Sequence, residues 1–338
     1  MNSIALDTRI TDDAHIDFDY DVVVVGGGPT GCSAGIFTAR HGLDTVIFDR
    51  GNAALKRAAY IENYLGFPGG IHIETLYDLM HDHARDAGCA YVPDMVEAVT
   101  HADGDSDGGT DADCDGFVVE TTDGERVTTR YVVAASWYDG EYMRPLGGDE
   151  MFEEHDHGDG EVHEHFDPDY SDEDGRTPID GLYVAAPAGE RNAQAIVAAG
   201  TGAHVARCLL EDYRRELGFP EAVTAHYDWL RRESELSGEW ATRDRWREWF
   251  HAQLPEDDPA HDYDEDADYD ERLVELREAY LDRAFRTQVA PDEVEARWEE
   301  GQDRLLDYID DERILERARR LEADSQSDEA ATQSEEAR

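Results

Sequence analysis

Lysine is almost missing from this chain: Lys56 stands alone among 30 basic residues, and the rest are arginine. Acids number 81, which sets the formal net charge at −51. Recognition of nucleic acid or of an anionic membrane through the folded surface is thereby excluded, because both need local positive potential. There is no apolar run of roughly 18 residues, the minimum for a helix that spans a bilayer. The opening stretch, Met1 to Tyr20, is polar and acidic and lacks the positive start and apolar core of a secretory signal, so a cytoplasmic location is expected. Cysteine is scarce as well. Cys32, Cys89, Cys114 and Cys208 show neither C-x-x-C nor zinc-ribbon spacing, so no redox dithiol is expected and the four read as free, mostly buried thiols. What the chain does have is length and apolar content, with 40% hydrophobic residues in 338. That suffices for a packed core of one large or two ordinary domains.

The acid excess with near-absence of lysine resembles the composition of proteins from salt-in halophilic archaea. At −51 the folded chain repels itself in dilute buffer. In molar salt the Debye length falls to about 3 Å and the repulsion is screened. An acidic mesophilic protein is the alternative, and either way the charge speaks to habitat more than to activity.

Composition divides the chain. Residues 1–20 form a polar arm, and 21–212 alternate between strand and helix patterns. Two acidic insertions interrupt this region at 101–115 and 149–174, the second with 13 acids, four histidines and no basic residue. Residues 213–322 read as wholly helical, and 323–338 as a disordered tail.

Val22 to Val25 is a β-branched run, as a strand buried on both faces requires. Gly26-Gly27-Gly28-Pro29-Thr30-Gly31 follows, then a small-residue helix from Cys32 to His41, then a second strand, Thr45 to Phe48, ending in Asp49. Gly26, Gly28 and Gly31 fit G-x-G-x-x-G. The first glycine permits the sharp turn, the second lets backbone approach a pyrophosphate, and the third lets helix and strand pack closely. The helix N-terminus then aims N–H groups at phosphate. Asp49, 18 residues after Gly31, can accept from ribose hydroxyls. The set points to dinucleotide binding; a tight structural turn is the alternative.

With GGGPTG and IFDRG, the run Asp21 to Gly51 resembles the FAD-binding half of thioredoxin reductases and related pyridine nucleotide–disulfide flavoproteins. Ile61-Glu62-Asn63-Tyr64-Leu65-Gly66-Phe67-Pro68 is similar to their I/V-E-N-x-x-G-F-P segment. Arg191 to Gly202 is similar to their R-Q-A-x-x-A-A-G-x-G helix, whose start faces the flavin. Val132 to Ser136 sits where the family has V-x-A-T-G. The resemblance implies an α/β, Rossmann-like FAD domain of the two-dinucleotide-binding-domain class, with a central parallel sheet and a β-meander. It implies FAD as cofactor, on Gly26, Gly28, Pro29, Thr30, Gly31, Asp49 and Arg50. Adenine would lie along the backbone of Met95 and Val96, Ala135 would pass close to the cofactor, and the isoalloxazine would lie near Asn63, Gln194 and Ala195.

The sequence departs from that family in four places. Only 42 residues, 137–178, stand where the reductases insert an NADPH domain, and such a domain needs on the order of 100. The redox C-x-x-C is missing with it. Gly51 to Tyr60 reads GNAALKRAAY in place of a glycine-rich G-G-Q stretch. Ala186-Pro187 replaces the G-D whose acid binds the ribityl chain. The expected function is therefore an FAD-dependent oxidoreductase that exchanges electrons with an external redox partner. The alternative is a non-catalytic FAD- or ADP-binding scaffold. A homodimer is a further expectation, and no residue stands out as a catalytic acid or base.

Remaining features have plain readings. His155, His157, His163 and His165 form two H-x-H pairs that could take a transition metal, but the interleaved Gly and Asp favour a solvated loop, and no metal is expected. His72, His81 and His83 share no common focus by periodicity. Trp246, Trp249 and Phe250 fall on one helical face; Leu273, Leu276, Tyr280 and Leu281 form a second stripe, and Ile314, Leu315, Ala318 and Leu321 a third. Cys32, just after the third glycine, reads as a packing residue.

Overall fold

A computed structural model of the chain describes residues 18–102, 116–136, 140–156, 162–185, 194–225 and 229–336. Two compact units are formed, residues 1–230 with 236–287, and residues 231–235 with 288–338.

The first unit opens with β1 (Tyr20–Val25), α1 (Pro29–Arg40) and β2 (Thr45–Phe48). A two-residue antiparallel pair follows, β3 (Tyr60–Ile61) and β4 (Ile71–His72). Next come α2 (Ile73–Ala87), β5 (Ala90–Val92) and the meander β6 (Val96–His101), β7 (Phe117–Thr121) and β8 (Arg126–Ala134). A short helix α3 (Arg144–Gly147) and the hairpin β9 (Phe152–Asp156) and β10 (Val162–Phe166) lead to β11 (Leu182–Val184) and the long α4 (Ala195–Leu217). Strands β5, β2, β1 and β8 lie side by side and parallel, while β7 and β6 continue antiparallel beyond β8. Strand β8 branches: its first half pairs with β7 and its second half with β11. This is the expected parallel sheet with a meander.

The four valines of β1 explain why it lies at the centre. Val22 and Val24 join one apolar cluster with Ala34, Val205, Ala206 and Leu209, from α1 and α4. Val23 and Val25 join another with Phe48, Val99, Val119 and Val132. A strand buried on both faces cannot alternate polar with apolar, and this one does not. The second cluster also holds Met151 and Phe166. The insertion at 149–174, expected as a solvated loop, thus contains a hairpin anchored in the core. Its backbone register sets His155 opposite His163 and Glu153 opposite His165; His157 lies outside the described residues.

Helices α1 and α4 touch through glycine. A Cβ on Gly202 would lie 2.0 Å from the Thr30 carbonyl oxygen, so no larger residue fits without moving α4 off the first turn of α1.

Beyond α4, α5 (Arg243–His251) and α6 (Glu271–Arg286) complete the first unit. Trp246 packs edge-on against Trp240 and Trp249, Trp249 stacks on Tyr280, and Phe250, Leu276 and Leu281 are buried, as the helical stripes predict. His251 is fully enclosed: Nδ1 lies 2.5 Å from the Ala260 carbonyl and Nε2 lies 3.1 Å from an Arg277 guanidinium nitrogen. Arginine can only donate, so Nε2 accepts and the ring is neutral, with its proton on Nδ1.

The second unit holds a parallel pair of two-residue strands, β12 (Arg231–Arg232) and β13 (Gln288–Val289), with α7 (Pro291–Leu306) and α8 (Asp311–Glu336). The sequence suggested neither strand, because two residues carry no period. The tail expected to be disordered from Ala323 continues α8 to Glu336. The third stripe is not buried: Leu315 is 54% and Leu321 47% exposed.

Gly202→Ala is expected to lower stability by about 1–3 kcal/mol, the usual cost of overpacking, seen as a lower denaturant midpoint in high-salt buffer. Burial lowers the pKa of His251 below the ordinary histidine value. The folded chain therefore binds that proton less readily than the unfolded one. The stabilising contribution is complete above the unfolded value of about 6.5 and is lost as pH falls below it. Denaturation midpoints measured between pH 7.5 and 5.5 should fall more steeply for the native chain than for His251→Gln.

Candidate functional site

The turn from β1 into α1 is built from contacts that only glycine allows. Gly26 sits at φ +118°, and a Cβ there would meet the Ala135 carbonyl oxygen at 2.7 Å. A Cβ on Gly31 would meet the Gly26 carbonyl oxygen at 1.7 Å. Gly28 differs: the nearest atom to its Cβ position is Ala53 Cβ at 3.9 Å. Gly26 and Gly31 are thus pinned by packing, while Gly28 faces open space. It precedes α1, whose N-terminus carries no side-chain cap and no acid in its first turn. The positive end of that helix is left for an external anion.

That open space is part of a cavity of about 520 Å³, within the usual range for a small-molecule site. Gly26, Gly28, Pro29 and Thr30 line one end. Asp49 and Arg50 line it at the end of β2, Met95 and Val96 at the start of β6, and Ala135 and Ala195 complete the set. Most residues proposed from sequence therefore meet around one space. Gly31 is not among the lining residues; its place is the helix–strand contact. Asn63 and Gln194 lie outside the lining too, and bond to each other, Nδ2 donating to Oε1 over 2.7 Å. Arg191 to Ala193 and Ala186-Pro187 lie outside the described residues.

Asp49 is buried yet lines the cavity. Its Oδ1 accepts from the Gly51 amide at 2.9 Å and its Oδ2 from the Tyr91 hydroxyl at 2.5 Å. His81 Nε2 lies 3.0 Å from the Gly27 carbonyl and 3.1 Å from the same hydroxyl. His81 on α2, Tyr91 on β5 and Asp49 on β2 thus brace the glycine turn from behind. Burial, with the Asp49 carboxylate beside it, raises the Tyr91 pKa, so the phenol stays a donor. His81 finds these partners 54 and 10 residues away in sequence and shares none of them with His72, in keeping with the absence of a common focus for these histidines. His72 has a different task, accepting from the Glu74 amide at the start of α2. A carboxylate offers about four acceptor sites, so Asp49 can still receive a ribose hydroxyl.

Asp94 fixes the adjoining corner. Its carboxylate accepts from the Met95 amide at 2.6 Å and the Thr122 hydroxyl at 2.8 Å. Hydrogen bonds from Thr121 first, then Thr122 and the Met95 amide, hold its pKa below the ordinary aspartate value. The stretch Asn52 to Leu55, with Ala58, forms a further wall, which is where GNAALKRAAY replaces the expected glycine-rich run. Glu97, Glu141 and Tyr142 also line the space, and no motif announced them.

None of the described cysteines is poised for redox chemistry. Cys32, Cys89 and Cys208 are buried and free. Burial raises all three thiols, Cys89 and Cys208 to about 12. Cys32 donates to the Gly27 carbonyl at 3.3 Å, as a packing residue would. Cys114 lies outside the described residues.

Asp49→Ala should weaken FAD binding by at least about tenfold, since a charge-assisted bond contributes about 1.5–3 kcal/mol, measured by quenching of flavin fluorescence. Tyr91→Phe, which keeps the carboxylate, should give a smaller loss.

The chain is similar to known proteins over part of its length. The model of an FAD binding domain matches residues 19–63. Thioredoxin reductase of Aquifex aeolicus is 34% identical over 119 residues, 35% of this chain and 33% of that one. Thioredoxin reductase of Bacillus subtilis is 35% identical over 82 residues, 24% of this chain and 26% of that one. The matches thus span a third or less of these relatives' lengths. A solved thioredoxin reductase from Gloeobacter violaceus aligns at a TM-score of 0.45 and 20% identity, covering 63% of this chain and 98% of that one. The chain carries an FAD-binding domain similar to that of thioredoxin reductases, and FAD is its cofactor.

Proposed function

We propose that this chain is an FAD-dependent oxidoreductase that has no NADPH domain or dithiol of its own and exchanges electrons with a separate redox partner. The observation that carries the reading is a cavity that unites the uncapped N-terminus of α1, the braced Asp49 and the start of β6. In this reading the amides at Gly28 to Thr30 hold the diphosphate. Asp49 takes ribose hydroxyls, and the Met95–Val96 backbone, fixed by Asp94, receives adenine. The start of α4, with Gln194 tied to Asn63, orients the isoalloxazine. Bound FAD would supply two-electron transfer; the protein supplies binding, orientation and electrostatics.

Support for an external partner comes from the segment between β8 and β11. Its described part includes α3 and the β9–β10 hairpin, with Met151 and Phe166 buried in the sheet's cluster. In the reductases that the sequence resembles, this is where the NADPH domain is inserted. The high pKa values of Cys89 and Cys208 also favour an electron path that does not use an internal thiolate.

The test is the visible spectrum. Protein purified in molar KCl should carry near-stoichiometric flavin. It should bleach with dithionite under anaerobic conditions but not on the timescale of turnover with NADPH alone. Rapid bleaching by NADPH would overturn the external-partner reading, and a colourless protein that refuses added FAD would overturn the enzyme. We further propose a high-salt habitat on the charge of −51. Dialysis to low salt should unfold the chain cooperatively by circular dichroism; a stable fold there would remove that proposal.

A further inference from the structure

A second site stands apart from the cavity. We propose that Asp174, His204 and Cys208 bind a single borderline-soft divalent cation of the zinc or cobalt class. His204 and Cys208 are one turn apart on α4, so their side chains share a face. Asp174 comes from the turn before β11, where the Asp172 carboxylate takes its amide at 2.9 Å. His204 Nε2 lies 2.9 Å from Asp174 Oδ1 and 3.9 Å from Cys208 Sγ, and one donor atom from each residue falls within 4.8 Å of the others. None of the three lines the FAD cavity.

Geometry separates this cluster from a nucleophilic triad. A Cys–His–Asp relay uses opposite ring nitrogens, one toward the sulfur and one toward the carboxylate. Here the same nitrogen faces both, so the donor atoms converge on a point instead of forming a line. Tetrahedral zinc bonds of about 2.0–2.3 Å set its ligand atoms about 3.3–3.8 Å apart. The nitrogen–oxygen distance must open by about half an ångström and the nitrogen–sulfur distance close slightly. Both adjustments are within side-chain reach. The donor set of thiol sulfur, imidazole and carboxylate favours zinc or cobalt over magnesium or calcium.

The surroundings fit a ligand shell. Arg176 donates to the other carboxylate oxygen of Asp174 at 2.7 Å and is itself held by Asp212 at 2.7 and 3.1 Å, leaving Oδ1 turned toward His204. Asp212 also accepts from the Tyr183 hydroxyl at 2.9 Å. Such outer partners fix ligand orientation. Cys208 is buried and His204 is half exposed, so the solvent side is open to water as a fourth ligand.

The experiment titrates Co²⁺ into the chelator-treated full chain in molar KCl. One equivalent should bind with a thiolate-to-cobalt band in the near ultraviolet, and Zn²⁺ should displace it. Cys208→Ser should abolish the band. His204→Gln, at an exposed ring that the fold does not need, should weaken binding at least about tenfold. His155→Gln with His163→Gln, on the β9–β10 hairpin, should leave the band unchanged. Absence of a thiolate band, binding insensitive to His204→Gln, or loss of the band in the hairpin variant would each overturn the site.

Discussion

Everything at the cofactor end of this molecule rests on one close approach of backbone to backbone. The Gly26 carbonyl sits where a Cβ on Gly31 would be, and the Ala135 carbonyl sits where a Cβ on Gly26 would be. Three elements, β1, α1 and the end of β8, are thereby drawn to van der Waals contact at one corner. A side chain at either glycine would push the helix outward and turn its N-terminal amides away from the cavity. The same economy recurs where Gly202 lets α4 press on Thr30. Binding geometry and core packing are one set of contacts here, because the chain has traded side-chain volume for proximity.

The acid that completes the site is treated differently. Asp49 is not left loose at a strand end; it is held by a hydroxyl from β5, an amide from Gly51 and a histidine from α2 behind that hydroxyl. A short aspartate loses little rotamer freedom on ligand arrival when its geometry is already fixed. Pre-organisation of this kind is obtained from residues, Tyr91 and His81, that do not line the cavity. It follows that α2 and β5 support the site even though neither lines the cavity.

Local periods carried a good deal of this. The buried run Val22 to Val25, the glycine spacing and Asp49 each follow from rules that act within about 30 residues, and the structure brings Val25, Gly26, Gly28 and Asp49 to one cavity. Trp246, Trp249 and Phe250 likewise declared a helical face that does pack, Phe250 and Trp249 in an apolar cluster and Trp246 against Trp240, Trp249 and Tyr280. What escaped was long-range or too short to be periodic. Tyr91 and His81 reach Asp49 across 42 and 32 positions, through pairing of β5 beside β2. The β9–β10 hairpin was hidden by its charge, since composition reported on its solvent face while two residues, Met151 and Phe166, decided its anchoring. The helical end of the chain was hidden by the opposite error: Ser, Glu and Gln suggest disorder, yet Glu322, Ser325 and Gln326 sit exposed on α8.

Lys56 gives the molecule an unusual chemical handle. It lies in the 3₁₀ turn Ala54–Arg57 beside the cavity wall, with its ammonium on the Gly51 carbonyl at 2.9 Å and over the Tyr77 ring. With arginine everywhere else, amine-directed reagents have one side-chain target in the whole chain. A fluorophore or surface tether coupled through that amine would therefore be placed at the rim of the cofactor chamber without any engineered residue, and would report on its occupancy.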